Sequence, residues 1–264
     1  MRPPLRMLSI TANLVDYRCG VALRSGGVGG RGLFCEEPVA AGQELFSIDS
    51  IICERRAEAA LAQAGCLATA TDGLEPPTWP STLTGAALLL SEPGERWSPW
   101  LASWGEDAKP SPEFRWADWA DDDVAPRCRA LAARFPLCSA TLLEDRARAR
   151  RERFDRRVER WSRGGGRDAA DFGALLPVVL SRAVRVSLGG ESVMALVPGF
   201  DMLNHAPGDR RNVQLAAAAG GRGLVVRATR PLRPGAELLT CYADVEDYDD
   251  DAAAHLMLTW GIPP

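Results

Sequence analysis

Residues 195–205 read Ala-Leu-Val-Pro-Gly-Phe-Asp-Met-Leu-Asn-His and place an acid, an amide and an imidazole in a short run that is otherwise apolar. The run begins as a β-like segment, turns at Pro198-Gly199 and carries Met202 and Leu203 between its polar side chains. A polar cluster on an apolar platform indicates the segment around which the chain is organised. The chain has 2 histidines in all, so His205 is either part of a site or a histidine whose hydrogen bonds are satisfied in the core.

The composition excludes several protein classes. With 264 residues and a net charge of -4, the chain can bury a core, and nothing in it indicates nucleic acid or a membrane. Its 7 cysteines are never spaced as C-x-x-C, which predicts neither a zinc site nor a disulfide framework and favours a reducing, intracellular compartment. The first residues lack the apolar core of a secretory signal peptide. An organellar address stays open.

Residues 20–50 have the pattern of β structure. Strands are predicted at 21–25, 33–35 and 44–48, and the glycine-rich run 26–32 is predicted to be a turn. Glycines would allow the backbone of this turn to approach a ligand closely, because they carry no Cβ. A plain hairpin connection explains the same residues.

A helical block follows. Residues 82–90 have helical periodicity, and the next stretch is rich in tryptophan and phenylalanine from Trp97 to Trp119. These rings are predicted to form the core of a helical insert, and the alternative is an aromatic surface for a peptide partner.

Residues 142–161 predict a long, arginine-rich helix. Such a run is typical of a solvated face with internal ion pairs, and nucleic-acid binding is the weaker alternative. Residues 170–186 predict a second, mostly apolar helix. Its Arg182 either favours the helix dipole or reaches a ligand carboxylate.

The chain returns to β structure at its end. Strands are predicted at 213–215, 224–227 and 237–242, followed by an acidic tract at 244–251 and a short helix at 252–258. The acidic tract is a solvated loop or an attractor for a basic substrate. We therefore predict an α+β fold in one domain over residues 1–264, with a β-rich core at about 18–52 and 170–264 and a helical insert at about 53–169.

Separated segments match one family in order. The matching pieces are Gly30-Arg-Gly-Leu-Phe-Cys, Ala41-Gly-Gln-Glu-Leu-Phe-Ser-Ile, Ala86-Ala-Leu-Leu-Leu-Ser-Glu with Trp97-Ser-Pro-Trp-Leu, Ser181-Arg-Ala-Val, residues 196–205, Gly235-Ala-Glu-Leu-Leu-Thr-Cys-Tyr and Leu256-Met-Leu-Thr-Trp-Gly-Ile. In these pieces the chain resembles the SET-domain protein methyltransferases of the Rubisco large-subunit methyltransferase-like group. The resemblance implies a SET domain with a pseudoknot. It also implies S-adenosylmethionine-dependent methylation of a lysine in a protein substrate. The composition predicts neither nucleic acid nor a membrane as partner.

The resemblance also assigns residues. It implies Tyr242 as the catalytic residue at the floor of a narrow channel, and Asp201 and Trp260 along the substrate channel. It implies cofactor contacts from Gly30, Arg31, Gly32, Arg182, Asn204, His205 and Tyr242.

The chain differs from the family at three positions. Ala243 stands where glycine is usual, Ala253 where asparagine is usual, and Trp260 where a second channel tyrosine is usual. Family members commonly continue into a helical C-terminal domain that helps to bind the protein substrate, and this domain is expected to be absent here. Either the sequence is a truncated product or the recognition surface is built differently.

Other functions remain open at this stage. A catalytically weak or inactive SET-like interaction module is the main alternative, and the family also supports histidine methylation. A metal hydrolase built on His205 and His255 is remote, because the two histidines form no ligand pair with helical spacing, and no metal is expected.

Overall fold

The structure, a computed structural model, describes residues 11, 13–27, 30–71, 73–74, 76–104, 112–136, 138–164, 169–219, 223–242 and 250–262. The strands in chain order are β1 Val15–Tyr17, β2 Val21–Gly27, β3 Gly30–Cys35, β4 Glu44–Ile48, β5 Ile52–Cys53, β6 Ala183–Leu188, β7 Glu191–Leu196, β8 Asn204–His205, β9 Val213–Ala217, β10 Leu224–Ala228 and β11 Leu239–Thr240. The helices are α1 Glu54–Gln63, α2 Leu67–Thr71, α3 Trp79–Leu90, α4 Ser98–Ala102, α5 Asp121–Arg134, α6 Ala140–Arg163, α7 Ala169–Arg182 and α8 Asp250–Trp260.

These elements belong to two compact units. The first, here called the strand unit, comprises Met1–Arg56, Leu90–Ser103 and Arg182–Asp244. The second, here called the helical unit, comprises Ala57–Leu89, Trp104–Ser181 and Val245–Pro264. The predicted α+β class is confirmed. The single-domain boundaries stay a prediction.

The strand unit contains four small sheets. Their strand orders are β1-β4-β10-β9, β5-β7-β6, β2-β3 and β11-β8. The β8-β11 pair is parallel, and the other pairs are antiparallel. Strand β4 lies between β1 and β10, and its Leu45, Phe46 and Ile48 are fully buried, as expected for a β-rich apolar segment packed in a core.

The glycine-rich turn is shorter than predicted. Strand β2 continues to Gly27 and β3 begins at Gly30, which is the register partner of Gly27. Glycines 26, 27, 30 and 32 therefore belong to strands. Gly32 has no room for a side chain, because an added Cβ would lie 2.5 Å from Glu237 Oε1 and 2.6 Å from Asn204 Nδ2.

The prediction of a helix over 170–186 is wrong at its C-terminal end. Helix α7 stops at Arg182, and the chain continues directly into the hairpin β6-β7. The physical reason is the alternation of Val184 and Val186 with polar Arg185 and Ser187, followed by Gly189 and Gly190 at positive φ. The strand predicted over 237–242 is also shorter and covers only Leu239–Thr240.

The helical unit is built around α6. The side chain of Ser139 caps this helix by accepting from the amide of Leu142 at 3.1 Å. The predicted internal ion pairs form, with Arg148–Glu144, Arg156–Glu152 and Arg163–Glu159 each at i,i+4 spacing. These contacts support the prediction of a solvated face.

The aromatic stretch is buried. Trp97, Trp100, Trp104, Phe114, Trp116 and Trp119 are all at most 7% exposed. The alternative of an aromatic surface is therefore wrong. The core prediction holds with one correction, because Trp97 and Trp100 lie in the strand unit and not in the helical one.

Candidate functional site

The segment 198–206 enters the strand unit through a tight turn. Gly199 has φ of +78° and packs against Phe46 and Tyr17, so a side chain there would be strained. A single 3-10 turn, Phe200–Met202, then leads into β8. Leu203 is fully buried, so the polar groups at 201, 204 and 205 alternate with residues that anchor the segment in the core.

Asn204 joins three stretches of the chain. Its Nδ2 donates to the Arg31 carbonyl of β3 at 3.0 Å and to Glu237 Oε1 at 2.6 Å. Residues 236–238 are also hydrogen-bonded to β3, through Cys35 N to Ala236 O at 3.0 Å and Leu238 N to Leu33 O at 2.7 Å. The last strand segment therefore runs between β3 and β8, with the Asn204 amide at the junction.

A buried ion pair lies at the start of the same segment. Arg182 Nη1 donates to the Asp201 carbonyl at 2.6 Å and to Asp201 Oδ2 at 3.1 Å. The side chains of Arg182 and Asp201 are 12% and 0% exposed. The indole Nε1 of Trp100 donates to both carboxylate oxygens at 3.3 Å. These donors satisfy a carboxylate that water does not reach, as a buried charge requires.

His205 and Tyr242 contact each other at the other end of the segment. The Tyr242 amide donates to His205 Nδ1 at 3.1 Å, which makes Nδ1 an acceptor and the ring neutral in this arrangement. Burial, with a smaller contribution from the Arg210 charge, lowers the pKa of His205. The Tyr242 hydroxyl donates to the Leu203 carbonyl, and the two ring centroids are 5.3 Å apart.

Tyr242 is a protonated phenol at neutral pH. Burial raises its pKa above the usual value, and the charge of Asp201 acts in the same direction, while Arg182 opposes it. A neutral phenol can donate one hydrogen bond and accept others. Tyr242 can therefore orient a polar reactant, but it does not serve as an anionic base.

The structure places most of the predicted site residues in the strand unit. Gly30, Arg31 and Gly32 form the start of β3, Arg182 ends α7, and Asp201, Asn204, His205 and Tyr242 belong to the segments described above. Arg31 also donates from Nη2 to the Ser103 carbonyl at 3.3 Å.

Trp260, predicted to line the substrate channel, lies in the helical unit. It is the last residue of α8, and its indole Nε1 donates to the Ser181 carbonyl at 2.6 Å. Ala253 is fully buried in the same helix. Ala243 and most of the acidic tract lie outside the described residues.

Two side chains at the site were not predicted. Glu237 approaches both Asn204 and Gly32, and its only signal in the sequence is that it is the one acid in the run 235–242. Trp100 was expected as an insert core residue, but its indole N–H binds Asp201. No local pattern indicates a partner 101 residues away along the chain.

Other kinds of site find no support in the described part of the chain. No group of three or more His, Cys, Asp or Glu side chains there is arranged to hold a metal ion. No described helix combines the length and apolarity that crossing a membrane requires.

Comparison with known proteins assigns the family. A family model of the SET domain matches residues 30–243, and the chain belongs to the SET-domain family. Among solved structures, its fold is similar to the SET domain of LSMT bound to lysine and AdoHcy, with 13% identity, a TM-score of 0.65, and coverage of 97% of this chain and 55% of that one.

The structure of Rubisco LSMT bound to AdoMet is similar with 14% identity, a TM-score of 0.63, and coverage of 98% of this chain and 55% of that one. The chain thus spans about 55% of the length of these structures. At 13% and 14% identity, the similarity to these structures shows a shared fold alone. A search of curated protein sequences finds no match. The predicted SET-domain membership and SET fold are confirmed.

Proposed function

We propose that the protein is an S-adenosylmethionine-dependent protein-lysine N-methyltransferase. The observation that supports this most is the convergence at Asn204 of β3, β8 and the segment leading to Tyr242, since it assembles the predicted cofactor and catalytic residues of a SET domain in one unit. The similar structures are bound to AdoMet in one case and to lysine and AdoHcy in the other, which agrees with the proposal.

The residues at the site fit this cofactor. Because Gly32 has no side chain, Glu237 and Asn204 can approach the β3 backbone at this position. Glu237 supplies an acceptor suited to a positively charged amino group. The Asn204 amide donates to Arg31 and Glu237, so its oxygen is the group that supplies a further acceptor. Gly30, Arg31, Gly32, Arg182, Asn204 and His205 are proposed to hold the cofactor, which supplies an electrophilic methyl group on a sulfonium when bound.

Arg182 is proposed to have a structural role in addition to cofactor binding. Its guanidinium forms the ion pair with Asp201. Arg182 therefore places a positive charge at the site and also anchors the segment that carries Asn204. Asp201 is likewise proposed to anchor this segment, at a position beneath the substrate channel. Its carboxylate is fully enclosed, so it shapes the channel without itself taking up a proton from the substrate.

Tyr242 is proposed to position the substrate amine. A lysine amine has an unperturbed pKa of about 10.4 and must be neutral to attack. A dry channel and a nearby positive charge lower that value, because both disfavour the ammonium. The Tyr242 hydroxyl, which donates to the Leu203 carbonyl, is proposed to orient the lone pair of the amine nitrogen. The rate enhancement then comes from alignment of the reactants and exclusion of water. S-adenosylmethionine would supply the methyl group that the amine nitrogen accepts, and the amine would release its proton to solvent.

The substrate is proposed to be a lysine side chain of a protein, and the role of Trp260 in its channel stays a prediction. The enzyme is proposed to work inside the cell, which agrees with the absence of disulfide bonds among the described cysteines. Neither the target protein nor the number of methyl groups follows from these residues.

The experiment that tests the activity is transfer of a labelled methyl group from S-adenosylmethionine to proteins of a cell extract by the purified chain. We expect transfer to lysine, and a loss of at least about 100-fold in Tyr242→Phe, in the range of a positioned catalytic hydroxyl. Tyr17→Phe is the matched control, because it removes another buried hydroxyl, bonded to Thr11 at 2.9 Å. Absence of transfer by the wild type would contradict the proposal and favour an interaction module. Label on histidine alone would contradict the lysine assignment.

A further inference from the structure

The helical unit contains a pocket that the methyl-transfer site does not use. It has a volume of about 220 Å³ and is lined by residues of α6, α7, α8 and the 3-10 turns Pro112–Phe114 and Trp116–Asp118. Every lining residue belongs to the helical unit. Pockets for drug-sized ligands run from roughly 300 to 1,000 Å³, so a pocket of this size suits a smaller molecule.

The walls of the pocket are apolar and partly aromatic. Trp116 and Phe154 meet edge to face, with ring centroids 5.9 Å apart at 90°, and Pro177, Leu180 and Leu258 complete the walls. The helical unit has one apolar cluster that includes Cys128 and Leu143 and another that includes Leu61 and Phe172. Phe154 and Leu180 each pack against both clusters, so the pocket lies where the two clusters meet. Aromatic walls of this kind favour a flat ring over a flexible chain.

Among the described residues, Arg150 of the pocket forms its hydrogen bond with an imidazole and not with a carboxylate. Arg150 Nη2 donates to His255 Nδ1 at 2.8 Å, and a neutral imidazole does not compensate the guanidinium charge. Nearby acids are engaged by other arginines, Asp251 by Arg146 and Glu144 by Arg148. Burial and the charges of Arg153 and Arg146 lower the pKa of Arg150 to about 10, although the charge of Asp251 acts in the opposite direction. Arg150 is therefore charged at neutral pH, and a negative ligand beside it would stabilise that charge.

The remaining polar residues of the pocket agree with an anionic ligand. Arg115 and Arg150 are cationic and Asp118 is an exposed acid, so the balance is positive. Thr259 also lines the pocket and is 7% exposed, and its Oγ1 has no hydrogen-bond partner among the described residues. A buried hydroxyl without a partner destabilises the folded chain, and a hydrogen bond to a ligand oxygen would offset that cost.

We propose that the helical unit binds a small aromatic carboxylate, with its ring against Trp116 and Phe154 and its carboxylate on Arg150. Thr259 would supply a further hydrogen bond. The site is independent of the proposed methyl transfer, because none of its residues belongs to the cofactor or catalytic set. Success or failure of one proposal therefore leaves the other unaffected.

Calorimetric titration of the full chain with 2-naphthoate tests this proposal. We expect one site with a Kd below about 1 mM and at least tenfold weaker binding of the neutral isostere 2-naphthamide. Arg150→Gln should weaken 2-naphthoate at least tenfold. The matched control is Arg153→Gln, which removes the same charge from an exposed position of the same helix and should change the Kd less than threefold.

A second variant covers the case in which Arg150→Gln unfolds the chain. Ala174 is exposed on α7 and lines the pocket, so Ala174→Phe should close it with the thermal transition unchanged and abolish binding. Absence of 2-naphthoate binding by the wild type at millimolar concentration would overturn the proposal. Equal affinity for acid and amide, or unaltered binding to a folded Ala174→Phe variant, would overturn it as well.

Discussion

At the scale of residues, the site is held by polar groups that satisfy one another away from water. Asp201 takes donors from Arg182 and Trp100, and Asn204 spans from Arg31 to Glu237. Each of these side chains has a partner far away in the chain. The motif at 195–205 could therefore be found from the sequence, but the groups that hold it could not, because no local periodicity encodes contacts of that separation.

The ion pair at Asp201 provides a stability prediction. Asp201→Asn leaves the guanidinium of Arg182, 12% exposed, without its countercharge, and should lower the free energy of unfolding by about 3–5 kcal/mol. Urea denaturation followed by tryptophan fluorescence measures this. Glu191→Gln is the control, since the Arg55–Glu191 pair is 71% and 59% exposed and its loss should cost less than about 1 kcal/mol. Equal effects of the two variants would contradict the buried ion pair.

His205 gives the strand unit a pH dependence. Because burial lowers its pKa in the folded state, the unfolded state binds the proton more readily, and stability is full above the unfolded pKa of about 6.5 and falls as the pH drops below it. Protonation of Nδ1 would also break the bond from the Tyr242 amide. The free energy of unfolding, measured by urea denaturation at pH values above and below 6.5, should therefore fall more in the wild type than in His205→Gln. The same fall in both proteins would show that His205 does not carry the effect.

At the scale of elements, hydrophobic periodicity correctly predicted those helices and strands that bury one face. The long helix predicted at 142–161 is observed as α6, and the strand predicted at 44–48 is observed as β4. The prediction was wrong where a helix passes directly into a strand, at Arg182 and Ala183, since no glycine or proline separates them. It was also wrong for the glycines of β2 and β3, which were predicted to form a turn but lie in paired strands. At Gly32 the sequence pattern did not show that Asn204 and Glu237 leave no room for a side chain.

Two helical glycines should respond to alanine in opposite directions. An added Cβ at Gly85 of α3 would lie 2.7 Å from the ring of Trp161, which stacks on Phe172 with centroids 4.6 Å apart. Gly85→Ala should therefore destabilise by about 1–3 kcal/mol. At Gly173 of α7 the nearest atom, in Val158, is 3.5 Å away, so Gly173→Ala should stabilise by about 0.5–1 kcal/mol through helix propensity. Urea midpoints of the two variants that shift in the same direction would contradict this packing.

At the scale of the whole molecule, the SET assignment and the site depend on different evidence. The ordered motifs along the sequence were sufficient to predict the family, which the match to residues 30–243 confirms. Substrate choice is a property of surfaces that the motifs do not describe, and the chain spans about 55% of the length of the similar structures. Whether the assembled site takes up its cofactor is the question on which the proposed activity depends.

Calorimetric titration with S-adenosylhomocysteine answers that question most directly. We expect the wild type to bind one equivalent and Asn204→Ala to bind at least about tenfold more weakly, because it removes the amide that joins β3 to Glu237. Asn13→Ala, which truncates an exposed asparagine of the same unit, should bind as the wild type does. Absence of binding by the wild type, or equal affinity of the wild type and Asn204→Ala, would contradict the proposed cofactor site.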